Sequence, residues 1–359
     1  MNEQISCEKC RKNKSFERLC NDCRVEEERN IIKNLSNDEV DKKVNEIIKD
    51  IENDSLDYDA FMSLFTIRRI NTKRIAKVAF DTKNYWPEEL YVDADENVRD
   101  GLIELLSNQK YDKTIVDNVL LCLSVIGDDV VKKQFYKWHK EPMPWRKLLY
   151  VGTQSYAEGG GFTFDEDGNV IKLVFDKCYT LIKGDSKKAP VKIGQIRKDL
   201  CPICGLPLVD IITIDGSDDR LKYLGIDGTV SATVCVNCVG FEDMYSKYVL
   251  NGESHLIGDY KNGENCYIEL DELEGIVSNK YSLGEEVHSY YGVYGGINTI
   301  GGFADFAQDF KYLDCPVCGE KMKYLSQIHW DTILEDIEGT IYMNICTDCK
   351  IIGSFHQQT

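Results

Sequence analysis

Apolar residues recur with a helical period through the first 140 residues, and with a period closer to two in most of the chain that follows. Ser36 and Glu39 have the spacing of a capping box, in which the two residues cap the first turn of a helix reciprocally. Apolar positions then follow at three- and four-residue intervals from Val40 to Ile51. This pattern predicts a charged amphipathic helix within residues 25–54, with its apolar stripe packed on a core.

Three further apolar faces predict a helical domain at residues 55–144. Turn signals at residues 86–87, 108–112 and 127–129 separate them. The faces consist of Val98, Leu102, Leu105 and Leu106, then Ile115, Val119, Leu123 and Ile126, then Val131, Phe135 and Trp138. The segments VRDGLIELL and NVLLCLSVIGDDVVKKQFYKW resemble HEAT-like helical hairpins, a repeat class that presents extended binding surfaces.

The rest of the chain has the pattern of strands and turns. Residues 148–153, 162–164 and 170–175 are predicted strands, and a hairpin turn at 166–169 joins the last two. Further β-prone runs continue to the end. We therefore expect a multidomain α+β protein, in which an N-terminal finger and a helical region precede a mostly β domain at residues 145–359.

Cys-x-x-Cys pairs give the strongest chemical signal. The stretches 201–238 and 315–349 share one plan, opening on Cys-Pro-x-Cys-Gly and closing on a β-prone run with a second pair. Zinc takes four thiolates at about 2.3 Å, and one tight knuckle supplies two of them. The repeated plan predicts a duplicated domain with two zinc ribbons. The predicted ligands are Cys201, Cys204, Cys235 and Cys238 in the first ribbon, and Cys315, Cys318, Cys346 and Cys349 in the second.

A third double pair, CEKCRKNKSFERLCNDC, lies within residues 1–24. It predicts a small four-cysteine zinc finger that needs its metal to fold, because few apolar residues surround it. About three structural zinc ions are therefore expected. The predicted ligands of the finger are Cys7, Cys10, Cys20 and Cys23.

Redox or disulfide pairs are the alternative interpretation of these motifs. The first residues have no basic and apolar stretches of a secretory signal, so a reducing, cytoplasmic location is expected, which favours metal. The remaining cysteines fall in apolar or strand-like segments, and we expect them to be buried as small hydrophobic residues. They are Cys122, Cys178 and Cys266.

The net charge of −18 bears on partners. It disfavours a general binder of the phosphate backbone and favours either a basic protein partner or simply solubility. A nucleic-acid contact remains an alternative for the finger, whose loop has several basic residues. No apolar run approaches the roughly 18 residues of a membrane span.

No catalytic motif of the common hydrolases, nucleotide-binding proteins or metalloproteases occurs. His329 is the histidine nearest a metal motif, but four thiolates already complete each site, so we expect it to be a surface or supporting residue. A closed four-cysteine site has no open position for water. A non-catalytic protein is expected.

The segment GGINTIGGFADFAQDFKYLDCPVCGEKMKYLSQI, followed by GTIYMNICTDC, resembles the C-terminal half of the bacterial YwqG-like family, which is similar to the programmed cell death protein 2 group. Ala304 and Phe306 replace the Pro and Trp of that family. The matching positions are Gly301, Gly302, Gln308, Cys315, Pro316, Cys318, Gly319, Leu325, Gln327, Ile328, Tyr342, Cys346 and Cys349. The resemblance implies a duplicated β fold with structural zinc and, from the eukaryotic relatives, chaperone-like binding of a basic ribosomal protein.

Together these features predict a zinc-binding protein-interaction or chaperone-like module for a basic partner. The alternatives are a nucleic-acid-associated zinc-ribbon protein of transcription or translation and an enzyme with an unrecognised site. The candidate contact surfaces are the helices, the Gly- and Tyr-rich run 290–296 and the Gly-rich loops at 159–161 and 295–302.

Overall fold

The computed structural model describes most of the chain, in two compact units that lie within residues 1–108 and 109–359. The first is helical with a short hairpin, and the second combines helices with antiparallel strands, so the predicted multidomain α+β class is confirmed. The described residues are 5–9, 14–15, 19, 21–108, 112–184, 189–258, 260, 268, 270, 272–273, 276, 281–334 and 337–358.

The first unit has the predicted capping box. The Ser36 hydroxyl accepts a hydrogen bond from the Glu39 N–H, and the Glu39 carboxylate accepts one from the Ser36 N–H. Helix α1 precedes the helix that this box starts, so residues 25–54 span parts of two helices. The elements are β1 (Ile5–Ser6), β2 (Lys14–Ser15), α1 (Asn21–Lys33), α2 (Asn37–Glu52), α3 (Tyr58–Arg68), α4 (Lys73–Thr82) and α5 (Glu96–Asn108).

The second unit begins with three helices, α6 (Lys113–Ile126), α7 (Asp129–Lys140) and α8 (Thr153–Gly159). The strand predicted at residues 148–153 is wrong. Leu148 ends a 3₁₀ turn, Pro144–Leu148, Thr153 begins α8, and the four residues between them belong to no helix or strand. Its apolar residues are largely exposed, Tyr150 by 90% and Val151 by 47%, so they do not form the buried side of a strand.

Two antiparallel sheets form the β part of the second unit. One has three strands in the order β6-β7-β8, and the other has eight in the order β10-β9-β15-β14-β13-β12-β5-β11. A separate hairpin pairs β3 with β4. The strands are β3 (Phe162–Phe164), β4 (Val170–Lys172), β5 (Phe175–Lys183), β6 (Val191–Leu200), β7 (Pro207–Asp215), β8 (Thr229–Val234), β9 (Met244–Tyr248), β10 (Ser254–Ile257), β11 (Tyr281–Val287), β12 (Thr299–Gly302), β13 (Lys323–His329), β14 (Thr340–Cys346) and β15 (Ile351–Gln357).

The eight-stranded sheet is buried on both faces. Ile341 and Met343 belong to the largest core, which also includes the apolar residues of the three-stranded sheet. Tyr342 and Phe355 lie in a second core on the other face. Among the described helices, none is both long and apolar enough to cross a membrane.

Candidate metal centres and an acidic cavity

The four cysteines of the first ribbon converge, with all four Sγ atoms within 4.8 Å of one another. The Cys201 and Cys238 sulfurs are 3.7 Å apart, and those of Cys204 and Cys235 are 3.4 Å apart. A tetrahedral zinc site with Zn–S bonds of about 2.3 Å requires sulfur separations near ~3.8 Å. These distances also exceed the roughly 2.05 Å of a disulfide. The donor set therefore fits zinc.

The second ribbon forms an equivalent group. Cys315, Cys318, Cys346 and Cys349 also lie within 4.8 Å, and the Cys318 and Cys346 sulfurs are 3.9 Å apart. Among the described residues, these two groups are the ones arranged to hold a metal ion. His329 belongs to neither.

Both ribbons have the same knuckle geometry. Gly205 and Gly319 have positive φ angles of 78° and 80°, a conformation that glycine adopts at little cost. The Gly205 N–H donates to the Cys201 carbonyl at 3.0 Å, and the Gly319 N–H donates to the Cys315 carbonyl at 2.8 Å. The glycine after each knuckle thus turns the chain back so that two thiols face one point.

The strand registers repeat as well. Val209 pairs with Val234 in the first copy, and Lys323 pairs with Ile345 in the second. In both copies, one residue of the pair lies eight positions after the first cysteine of the ribbon. Its partner lies directly before the third cysteine of the same ribbon. A register shift follows two residues later in both copies. The sequence repeat therefore corresponds to a repeat of backbone structure.

The copies differ after the last cysteine. In the second copy the chain turns at Lys350 and continues as β15, which pairs with β14 of the same ribbon. In the first copy it continues to β9, which pairs with β15 instead of β8. The strand after the first ribbon thus belongs to the sheet of the second.

The two groups also differ in exposure. Cys201, Cys235 and Cys238 are buried in the largest core, and Ile203 packs against it. In the second group Cys318 is exposed, and Val317, the equivalent of Ile203, is 63% exposed. The first site is enclosed, whereas one knuckle of the second faces solvent.

Crowding of the thiols changes their acidity. Hydrogen bonds from Cys235 and Cys238 lower the pKa of Cys201 to about 2, and the same sharing raises the pKa of Cys238 to about 12. One thiol of the group therefore loses its proton readily, and the resulting negative charge opposes the loss of a proton from its neighbour. A divalent cation removes this repulsion because it compensates the negative charges of several thiolates at once.

The third predicted site is only partly described. Cys7 and Cys23 are both buried and cluster with Leu19, while Cys10 and Cys20 lie outside the described residues. Cys122 and Cys178 are buried as predicted, and burial raises the pKa of Cys178 to about 12. Cys266 lies outside the described residues. Cys178 and the eight cysteines of the two ribbons are free thiols.

A cavity of about 470 Å³ opens at the end of the β13–β14 hairpin opposite the second cysteine group. Six residue steps of β13, at about 3.3 Å each, separate the two ends of that strand by roughly 20 Å. The lining residues come from the segment after β12 and from both sides of the hairpin end. They are Asp305, Ala307, His329, Asp331, Ile337, Glu338, Gly339 and Thr340.

Buried amide side chains fix the walls of this cavity. Gln327, fully buried, accepts a hydrogen bond from the Asp305 N–H at 2.8 Å and donates to the carbonyls of Gly292 and Ile297. Asn298 accepts from the His329 N–H at 2.7 Å and donates to Thr332 at 2.9 Å. The segment carrying Asp305 and the hairpin end are therefore held together by hydrogen bonds.

Two interactions set the chemistry of the cavity. Burial raises the pKa of the Asp305 carboxyl to about 7, against the opposing effect of a hydrogen bond from the Gly296 N–H. The His329 Nδ1 and the Thr340 hydroxyl share a hydrogen bond of 2.9 Å across the hairpin. The cavity thus combines a weakly acidic carboxyl, an imidazole and the carboxyl groups of Asp331 and Glu338.

The glycines of the loop before the second ribbon have structural tasks. A Cβ at Gly301 would overlap the Lys177 carbonyl oxygen, and one at Gly302 would lie 2.5 Å from the Ser289 carbonyl oxygen. Both have positive φ angles. Phe306 stacks on Tyr342, with 5.2 Å between ring centroids. These contacts place Asp305 at the cavity.

Sequence reasoning identified the cysteine groups and missed the cavity. The sequence signal was the segment 329–340, which has four carboxylates and no lysine or arginine. Asp305, 24 positions earlier, gave no signal of its own, because its place depends on the buried contacts of Gln327.

Comparison with known proteins gives a relative but no activity. The chain is 26% identical over 279 residues to a protein of Salmonella typhimurium with the name "Uncharacterized protein YpfL". The aligned residues cover 74% of this chain and 64% of that protein, so the chain spans less than two thirds of its relative's length. No family model matches the chain. No solved structure matches it either.

Proposed function

We propose that this chain is a non-catalytic, zinc-stabilised cytoplasmic protein that binds basic segments of a protein partner, as a chaperone-like interaction module. The observation that carries the proposal is the cavity at the end of the β13–β14 hairpin, with three carboxyl groups and no lysine or arginine among its lining residues. The net charge of −18 supports it, since an acidic surface attracts cationic partners over several ångströms.

Zinc has a structural task in this proposal. Four thiolates complete a tetrahedral shell, so a filled site leaves no position for water or substrate. The metal instead fixes the ends of β7, β8, β13 and β14, because each cysteine group joins the two strands of one hairpin. The β13–β14 hairpin, whose end lines the binding cavity, is then fixed by zinc at its opposite end.

Zinc analysis and defined probes test the proposal on the full-length, zinc-loaded chain. We expect two zinc ions from the ribbons and a third if the N-terminal cysteines form a finger. We expect polylysine to bind with an affinity that falls as salt rises, and polyglutamate not to bind. Fewer than two tightly held zinc ions, or no binding of polylysine at low salt, would contradict it. Preferential binding of RNA would favour a nucleic-acid function instead.

An enzyme is the second candidate, because Asp305 and His329 line the same cavity. A carboxyl group with a pKa of about 7 has the acidity of a general acid or base at neutral pH, and perturbed groups of this kind cluster at active sites. Turnover of ester, phosphoester or peptide substrates that is lost in both Asp305→Asn and His329→Ala would favour this candidate. Activity that survives both substitutions would exclude the cavity as its site.

A further inference from the structure

The cavity is large enough to admit a side chain of a partner, and its lining includes both apolar and acidic residues. Its volume of about 470 Å³ lies within the 300–1,000 Å³ typical of ligand pockets. Ala307 and Ile337 provide an apolar wall, and Asp305, Asp331 and Glu338 provide carboxyl groups. A lysine or arginine side chain has the complementary construction, with an apolar stem and a cationic head.

Some acidic groups of this unit pair with its own cations, whereas those of the cavity do not within the part of the chain that the structure describes. Asp210 and Asp243 pair with Arg197 and Lys311 at 2.9 and 2.6 Å. Among the described residues, no lysine or arginine forms an ion pair with Asp305, Asp331 or Glu338. Within the described residues, these three carboxyl groups therefore remain available to a cation that enters the cavity.

The walls are already fixed in the absence of a ligand. Gly339 has a φ of 97°, and a Cβ there would lie 2.5 Å from the Gln357 carbonyl oxygen, so the rim is closely packed against the end of β15 at this position. The Tyr342 hydroxyl donates to the Asp305 carbonyl and accepts from the Ala307 N–H. A site fixed in this way loses little conformational entropy when it binds.

We propose that this cavity binds the side chain of a single lysine or arginine in a basic segment of the partner protein, with its head among Asp305, Asp331 and Glu338 and its stem against Ala307 and Ile337. The inference rests on the proposed function and adds the contact that selects the partner. The zinc sites hold the hairpin at its other end and take no part in the contact.

Labelled peptides test this assignment on the full-length, zinc-loaded protein. The probes are Gly- and Ser-rich peptides with a central lysine, arginine, norleucine or glutamate, measured by fluorescence anisotropy at low salt. We expect the lysine and arginine peptides to bind at least tenfold more tightly than the norleucine peptide, because norleucine keeps the stem and lacks the charge. Equal binding of norleucine and lysine peptides would overturn the assignment.

A pair of double variants separates the cavity from general charge. Asp331→Asn with Glu338→Gln removes two charges at the cavity, and Asp227→Asn with Glu253→Gln removes two at exposed positions elsewhere in the unit. We expect the first variant to weaken binding of the lysine peptide at least tenfold, and the second to change it less than twofold. Zinc content and melting temperature confirm that both variants remain folded.

The two proposals fail in different ways. If polylysine binds the wild-type chain and both double variants equally well, the cavity is not the site, although binding of basic partners remains. If neither polylysine nor the lysine peptide binds the wild-type chain, the proposed function itself is wrong, and the cavity assignment is wrong with it.

Discussion

The backbone N–H of Tyr248 donates a hydrogen bond of 3.0 Å to the carbonyl of Lys350. Tyr248 ends the strand that follows the first ribbon, and Lys350 directly follows the last cysteine of the second. The bond is part of the pairing between β9 and β15. The strand that follows the first zinc site is therefore paired with the strand that follows the second.

This link predicts that loss of one zinc weakens the hold on the other. We expect Cys346→Ser to lose the second zinc and to speed chelator-driven release of the first by about threefold or more, because a loosened β15 no longer fixes β9. Release is measured with a chromogenic chelator. Cys7→Ser, in the other compact unit, is the control and should leave the rate unchanged. Equal rates in wild type and Cys346→Ser would show that the sites are independent.

The difference in exposure predicts an order of attack. Cys318 is exposed and Cys235 is fully buried, so a thiol reagent added with limiting chelator should modify the second ribbon first. We expect alkylation at residues 315–349 to exceed alkylation at residues 201–238 by at least fivefold at early times, as determined by mass spectrometry of peptides. Simultaneous modification of both ribbons would contradict this order.

Asp305 predicts a specific dependence of stability on pH. Its pKa is about 7 in the folded chain and about 3.8 when unfolded, so the folded state keeps a proton that the unfolded state loses. The stabilising contribution is fully present below about pH 3.8 and is lost as the pH rises through 7. His329, Asp331 and Glu338 also line the cavity.

Asp305→Asn tests this dependence, because the amide has the shape of the neutral carboxyl group. We expect the free energy of unfolding of the variant, relative to that of wild type, to increase by roughly 2–4 kcal/mol from pH 5 to pH 8. Urea unfolding at the two pH values gives the difference. If the free energies of unfolding of the two proteins changed equally with pH, ionisation of Asp305 would have no effect on stability, and the prediction would be wrong.

The hydrogen bonds of the buried Gln327 amide predict that its loss destabilises the fold. Gln327→Leu removes the acceptor of the Asp305 N–H and the donor to two carbonyl groups, and leaves these backbone groups unsatisfied. We expect the free energy of unfolding to fall by about 2–4 kcal/mol and binding of the lysine peptide to weaken. Gln195→Leu, at an exposed position, is the matched control. An unchanged melting temperature of Gln327→Leu would contradict this role.

The ligands of the ribbons could be predicted because the chemistry is local. A knuckle brings two thiols together within five residues, and Gly205 or Gly319 supplies the required turn. The β-prone run that closes each ribbon also forms a strand, β8 in the first copy and β14 in the second. The capping box at Ser36 and Glu39 was confirmed for the same reason, as it involves four consecutive residues.

Other features depended on distant contacts. The apolar run that begins at Leu148 suggested a strand at 148–153, but the sequence cannot show that Tyr150 is exposed. Nothing in β9 itself indicates that it leaves its own ribbon to pair with β15. The cavity depends on Gln327 and Asn298, which join segments about 20 to 35 residues apart, so its lining could not be assembled from spacing alone.

The pairing of β9 with β15 has a consequence for solubility. An uncovered strand offers a row of unpaired N–H and C=O groups to other chains and promotes aggregation. A shortened protein that kept only the second ribbon would present β15, with Ile351 and Ile352, as such an edge. The strand after the first ribbon thus protects the second ribbon from self-association. A shortened protein without the first ribbon would need another element to pair with β15.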